Sequence, residues 1–338
     1  MRVGVVDCGT NTVRLFIADF DAVPAPGVTS WDGVPCWDGV PSWDGVPSYR
    51  DVVRVLRFVR LGQGVDATHR FHPDALARTF TALDEFSGLI DAHGPLAGLR
   101  FLATSAARDA TNRDEFFAGV EARLGVVPDV ISGDEEARLS FLGALAGGPV
   151  GEGPVLVVDI GGGSTELILG GPGGDVIAAQ SFDIGSVRLR ERFLHDDPPT
   201  AAQVEAARAY VAGLLDHGRV SLTGVGTLIG VAGTNTSLSA MNQGLTCYDA
   251  ARVHNSTLEA ADVGRLAAEL LASPVAAVRA RYPFLEPMRA EVICAGALIA
   301  SEITDRARTP MLVRETDILD GAALALARSA PATAQALS

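Results

Sequence analysis

The chain has 338 residues, enough for about two domains of ordinary size, with a formal net charge of −14 and 48% hydrophobic residues. That acidic balance argues against a general nucleic-acid or membrane-surface binder, so a polyanionic ligand would need a locally basic cleft. All 27 basic residues are arginine, which excludes a P-loop lysine and Schiff-base chemistry and leaves planar forks suited to phosphate.

The N-terminus enters a strand at once, without a charged-then-apolar leader, and no apolar run of about 18 residues follows. A cytoplasmic protein is expected. Cys8, Cys36, Cys247 and Cys294 show neither paired spacing nor a Cys-x-x-Cys, so no zinc site or disulfide framework is suggested. His69, His72, His93, His195, His217 and His254 have no metal or triad spacing and read as surface or loop residues.

Val3 to Ala18 reads as a strand ending in Asp7, a turn with Gly9 and the donors Thr10, Asn11 and Thr12, and a second strand. Three hexads follow, Ser30-Trp-Asp-Gly-Val-Pro35, Cys36-Trp-Asp-Gly-Val-Pro41 and Ser42-Trp-Asp-Gly-Val-Pro47. Each carries a turn signal and a proline that cannot donate to a sheet, so the segment reads as a mobile surface insertion without a catalytic role. Asp51 to Val59 resumes as a strand and leads into Arg60-Leu-Gly-Gln-Gly-Val65, where Arg60 suits either a cleft or a solvated strand end. Pro73 to His93 places Leu76, Phe80, Leu83, Phe86 and Ile90 on one helical stripe.

Gly98 to Ala103 is a strand, with Thr104 and Ser105 at the start of a helix whose free amides favour anions. Arg108 then fits either an ordinary surface position or the same anion. Ser132 stands at an N-cap ahead of Asp134, Glu135 and Glu136, acids that the helix dipole favours. By itself this is routine capping.

The centre of the chain repeats the first device. Val155 to Val158 is an apolar strand ending in Asp159; Gly161, Gly162, Gly163, Ser164 and Thr165 follow, and Glu166 opens the next strand. Three glycines can turn several amides into one concavity that a phosphate oxygen approaches closely. Asp159 and Glu166 suit Mg²⁺, which takes one or two carboxylates and shares phosphate oxygens. A plain glycine turn between two solvated acids is the simpler alternative for one such stretch, and the second copy at the N-terminus weighs against it.

Further on, Val176 to Phe182 reads as a strand, Ile184 to Phe193 as a basic helix and Thr200 to His217 as an amphipathic one. Gly233 and Thr234 form a third turn between a strand and a helix. Val263 to Leu271 and Arg289 to Ala307 read as helices, Met311 to Val313 as a strand, and a last helix starts near Glu315.

Taken together, Asp7-x-Gly-Thr-Asn-Thr-x-Arg-Leu15, Ala103-Thr-x-Ala-x-Arg108, Ser132-Gly-x-Glu-Glu-Ala-Arg138, Asp159-x-Gly-Gly-Gly-Ser-Thr-Glu166, Gly185-x-Val-Arg188 and Gly230-Val-x-Gly-Thr-x-Thr-x-Leu238 resemble, in order, the motifs of the exopolyphosphatase and guanosine pentaphosphate phosphatase (Ppx/GppA) family. That family lies within the actin, sugar-kinase and heat-shock ATPase superfamily. Ser237 stands where the family has a threonine.

The resemblance implies two actin-like (ribonuclease H-like) α/β domains flanking a cleft, in the family's short form. Domain I would cover 1–130, with an insertion at 21–48 and a helix at 315–330 packing back on it; domain II would cover 131–312. It implies an Mg²⁺-dependent (or Mn²⁺-dependent) exopolyphosphatase acting on inorganic polyphosphate. Alternatives are a guanosine pentaphosphate (pppGpp) 5′-phosphatase, a kinase of the same superfamily, and a non-catalytic polyphosphate or alarmone (pppGpp or ppGpp) sensor. Glu136 would be the general base, with Glu135 its exposed neighbour, and Asp159 and Glu166 the metal ligands. Gly9, Thr10, Asn11, Arg14, Arg108, Gly161, Gly162, Gly163, Ser164, Arg188, Gly233 and Thr234 would contact substrate. A carboxylate beside such a polyanion should have its pKa raised toward neutrality. A homodimer is expected.

Overall fold

Two strands with an aspartate as their second-last residue, Arg2–Cys8 (β1) and Val155–Ile160, each lie inside a separate sheet. A computed structural model describes residues 1–21 and 48–329 and, for 30–31 and 34–35, the backbone. The chain divides into two units, Met1–Ala146 with Gly173–Asp175 and Ile318–Ser338, and Gly147–Pro172 with Val176–Asp317.

In the first unit β1 pairs antiparallel with β2 (Thr12–Phe20), β2 with β5 (Tyr49–Phe58), and β1 runs parallel to β6 (Gly98–Ala103), which is followed by β7 (Asp129–Val130). The short strands Ser30–Trp31 (β3) and Val34–Pro35 (β4) pair only with each other. The rest of 22–47, with the expected surface insertion, lies outside the described residues. A parallel step needs a crossover, and α2 (Pro73–Ala92) makes it after the short α1 (Val65–Thr68). Both faces of β1 are covered, so it reads as a continuous apolar run. Val6 and Cys8 face one core with Leu83, Phe86 and Phe116, while Val3 and Val5 face another with Leu139, Ile318 and Leu319. The remaining helices are α3 (Ser105–Asp109), α4 (Arg113–Leu124), α5 (Gly133–Ala146) and the C-terminal Ile318–Ser329.

The division of the chain falls at 146 rather than 130, because α5 packs on the C-terminal helix. A Cβ on Gly321 would lie 2.0 Å from the Leu139 carbonyl oxygen, so the two backbones touch. That helix is also pinned to β5. Asp320, fully buried, accepts from Arg54 Nη2 at 2.6 Å and from the Tyr49 hydroxyl at 2.7 Å. Burial and then Asp320 push the Tyr49 hydroxyl far above its ordinary pKa. Asp320→Asn removes a charged acceptor and is expected to cost about 2 kcal/mol, discounted for the 31% exposure of the Arg54 side chain. Urea unfolding checks this; an unchanged midpoint would contradict it.

The second unit repeats the layout. Its central strand β8 (Val155–Ile160) pairs antiparallel with β9 (Thr165–Gly170), β9 with β10 (Val176–Phe182), and β8 runs parallel to β11 (Thr227–Val231) and β11 to β13 (Met311–Val313). The sheet orders, β5-β2-β1-β6-β7 and β10-β9-β8-β11-β13-β12, match strand for strand except that β12 (Ser256–Leu258) adds an edge. This is the expected doubled α/β fold. Helices α6 (Ser186–Phe193), α7 (Ala201–Asp216), α8 (Ala232–Asn242), α9 (Ala250–Val253), α10 (Ala260–Ala272) and α11 (Val275–Arg281) accompany the sheet. The helix expected over 289–307 is two, α12 (Pro287–Ala290) and α13 (Ile293–Ala307), and the last helix, α14, begins at Ile318 rather than near Glu315. Helix α13 is buried almost throughout, as an all-round apolar helix requires.

Candidate functional site

In the first turn the Gly9 amide donates to the Thr12 carbonyl at 2.9 Å. The carbonyls of the turn are captured from one side. Thr10 O accepts from the Gly62 amide at 2.9 Å, and Asn11 O accepts from Val59 at 3.1 Å and Arg60 at 2.9 Å. Because a trans peptide points its carbonyl and the next amide in opposite directions, the amides of Asn11 and Thr12 are turned to the other side. This docking requires Gly62, where a Cβ would sit 2.2 Å from Thr10 Cγ2.

The second turn uses the same device. Gly161 O accepts from the Ser186 amide at 2.9 Å, and Gly162 O accepts from Val187 at 2.8 Å and Arg188 at 3.1 Å. The amides at the N-terminus of α6 are thus used on backbone carbonyls, and those of Gly162 and Gly163 point away from that helix. Gly185 makes the approach possible, since a Cβ there would lie 2.4 Å from Gly162 C and O. Thr165 Oγ1 donates to Ile184 O at 2.7 Å and Ser164 is buried behind the turn. Outward-facing amides at each turn suit phosphate oxygens.

Glu136 is linked to the first turn through α3. Thr10 Oγ1 and Ser105 Oγ are 2.9 Å apart, and Ser105 and Arg108 are three residues apart on one face of α3. Arg108 Nη1 donates to Glu136 Oε2 at 2.8 Å. Thr104, expected as a capping residue, makes no side-chain cap bond; its neighbour Ser105 serves Thr10 instead. Ser132 does cap α5, accepting from the Glu135 amide at 3.1 Å. The two glutamates part company. Glu136 is buried, whereas Glu135 is half-buried and accepts from Arg100 Nη2 at 2.7 Å. Burial disfavours the Arg100 charge, but Glu135 and Asp129 outweigh it and raise its pKa.

Arg14, expected against substrate, faces its cross-strand partner Asp7, and its Nη2 donates to Asp7 Oδ2 at 2.7 Å. Burial, and then Asp7, push the Cys8 thiol well above its usual pKa. Arg188 is buried at the start of α6, with Nη1 3.6 Å from Asp183 Oδ1.

At the third turn a Cβ on Gly233 would lie 2.2 Å from Arg289 Nη1, so this guanidinium rests on the first turn of α8. Arg289 was not singled out in the sequence; an arginine following a proline-broken helix start was its only signal. Thr234 of α8 and Ser186 of α6 meet at Gly296 of α13, where a Cβ would be 2.7 Å from Thr234 Cγ2 and 3.4 Å from Ser186 Cβ. His254, expected at the surface or in a loop, lies in the turn after α9 and is half-buried, with Nε2 2.9 Å from the Gly147 carbonyl. Gly62 and Gly185 were likewise missed as close-approach positions.

Asp159 and Glu166 are directly opposite on β8 and β9, so both side chains leave the same face, and both are buried. Facing like charges are destabilising without a counter-charge. Ser181 Oγ donates to Glu166 Oε1 at 2.7 Å, orienting that carboxylate. No group of three or more His, Cys, Asp or Glu that could hold a metal occurs among the described residues. Two carboxylates fit Mg²⁺, which completes its shell with water and phosphate oxygens.

A family model described as the Ppx/GppA phosphatase family matches residues 44–312. The chain is 44% identical to Exopolyphosphatase 2 of Mycobacterium tuberculosis, over 96% of this chain and 98% of that protein. Among solved structures it resembles an exopolyphosphatase-like protein with a TM-score of 0.84 and 39% identity, covering 97% of this chain and 99% of that one. An Aquifex aeolicus Ppx/GppA family member aligns with a TM-score of 0.76 and 28% identity, covering 100% and 99%.

Proposed function

From the premise that the chain belongs to the Ppx/GppA phosphatase family, we propose that it is an exopolyphosphatase, a phosphoanhydride hydrolase releasing orthophosphate from the end of inorganic polyphosphate. The observation that supports the site is the run Thr10, Ser105, Arg108, Glu136, a chain of contacts from an amide-lined turn to a buried carboxylate.

The amides of Asn11 and Thr12 receive oxygens of the terminal phosphate, and those of Gly162 and Gly163 offer a further set of donors for phosphate oxygens. Glu136 takes a proton from a water, whose oxygen bonds to the terminal phosphorus. The bond from that phosphorus to the bridging oxygen breaks, and the electron pair leaves with a chain one phosphate shorter. Such a leaving group is a stable oxyanion, so no strong general acid is required. Asp159 and Glu166 would hold Mg²⁺, whose chemistry when bound is to offset phosphate charge. Arg188, Gly233, Thr234 and Arg289 would receive phosphates further along the chain.

Ser181→Ala removes a donor that orients Glu166. The Mg²⁺ concentration for half-maximal phosphate release should then rise roughly 10-fold; an unchanged Mg²⁺ titration would remove these acids from the metal site.

Phosphate release from long-chain polyphosphate, short-chain polyphosphate and guanosine pentaphosphate, side by side with and without Mg²⁺, tests the assignment. Release from polyphosphate in Mg²⁺ and none without it is expected. Release from the nucleotide alone would make the protein a nucleotide phosphatase, and tight binding without release would make it a sensor. A homodimer and a cytoplasmic location belong to the same proposal. No helix among the described residues is long and apolar enough to cross a membrane.

A further inference from the structure

Arg108 makes all its side-chain bonds to protein from one nitrogen. Nη1 donates to the Ile131 carbonyl at 2.9 Å and to Glu136 Oε2 at 2.8 Å. Nε and Nη2 meet no acceptor among the described residues and are not enclosed, and the side chain keeps 24% exposure. The guanidinium is therefore fixed at one corner while the edge formed by Nε and Nη2 stays open. Two parallel donors on that edge match two oxygens of one phosphate, a match that a lysine could not offer.

We propose that Arg108 couples the base to the substrate: Nη1 positions Glu136 while the Nε–Nη2 edge binds the terminal phosphate, so that Glu136 becomes a strong base only when substrate is present. This rests on Glu136 being the general base. A guanidinium in contact favours the ionised carboxylate and weakens it as a base. A phosphate dianion on the far edge offsets that charge without moving the arginine.

Other charged groups stand on the elements around Glu136. Asp134, Glu135 and Arg138 share its helix. Glu135 is neutralised by Arg100 of β6, which also holds Asp129 of β7, and Asp320 of α14 is bound by Arg54. Arg108 is in contact with Glu136 and presents an open edge to substrate, so an anion bound there changes the charge that Glu136 meets.

The test is the pH dependence of kcat and of kcat/KM for polyphosphate hydrolysis in the wild type, Arg108→Gln and Arg108→Lys, each first checked by thermal unfolding. In the wild type the acid limb of kcat should lie roughly 1 pH unit or more above that of kcat/KM. In Arg108→Gln the gap should narrow to what the polyanion exerts on Glu136 directly, and KM should rise. In Arg108→Lys, which keeps charge but loses the fork, KM should rise while the gap stays. The substrate's own ionisation is common to all three and cancels. Absence of the gap in the wild type, or an undiminished gap in Arg108→Gln, overturns the coupling. Glu136→Gln measured alongside separates the two ideas: activity retained there removes the general base itself, whereas activity lost there with an undiminished gap in Arg108→Gln removes only the coupling.

Discussion

Glu136→Gln should lower kcat for polyphosphate by about 10²–10⁴-fold, the usual worth of general-base assistance, while KM stays near the wild-type value. Glutamine has the same shape, and its amide oxygen can still accept from Arg108 Nη1, which holds the carboxylate at 2.8 Å. The helix should therefore keep its place, and the loss should reflect the missing basic oxygen. Glu135→Gln is the matched control. Glu135 is tied to Arg100 at 2.7 Å on a half-exposed edge, where an ion pair is worth little, so turnover should change less than about twofold. Equal losses in the two variants would mean that the first turn of α5 as a whole matters, and a Glu136→Gln enzyme running near the wild-type rate would end the assignment.

Gly185→Ala should cost about 10²-fold in kcat/KM with little effect on whether the protein folds. The added Cβ would lie 2.4 Å from Gly162 C and O and 2.6 Å from Gly163 N, against an ordinary contact of 3.4–4 Å. No flexible side chain is there to yield, so the glycine turn itself must move by about 1 Å, a displacement that can cost on that order in rate. Gly213→Ala is the control, because nothing lies within 4 Å of its would-be Cβ. In the interior of α7 that change should stabilise the protein by about 0.5–1 kcal/mol and leave activity alone. Steady-state kinetics with circular dichroism melts checks both. An active Gly185→Ala would show that the turn tolerates displacement and that its amides do not grip substrate.

Much of the fold was readable from local pattern. Both aspartate-terminated hairpins stand out because an apolar strand, a bare turn and a second strand follow within sixteen residues, and β13 matches its expected span of 311–313. Helix α4 escaped notice because it buries only Phe116 and Val120, too short a stripe to show a period. The boundary at 146 was hidden for a different reason: nothing between 131 and 146 reveals that Leu139 will meet Gly321 nearly two hundred residues later.

The site shows the same split. Glu136 was accessible only through its motif, since as composition it is an ordinary acidic helix start. Arg14 could have been paired in advance with Asp7, because a short turn between two strands places them opposite each other. The capture of turn carbonyls by Gly62 and by the start of α6 could not, because it depends on backbone distances between segments far apart in the chain. A glycine just before a helix start, as at Gly185, is its faint trace.

The account turns on the claim that the outward amides of the two turns are the phosphate ligands. A crystal structure with Mg²⁺ and a methylene-bridged triphosphate, which cannot be hydrolysed at the bridge, addresses it directly. Phosphate oxygens within hydrogen-bond reach of the Asn11 and Thr12 amides and of the Gly162 and Gly163 amides are the predicted result. An analogue bound elsewhere, with those four amides facing solvent, would contradict it.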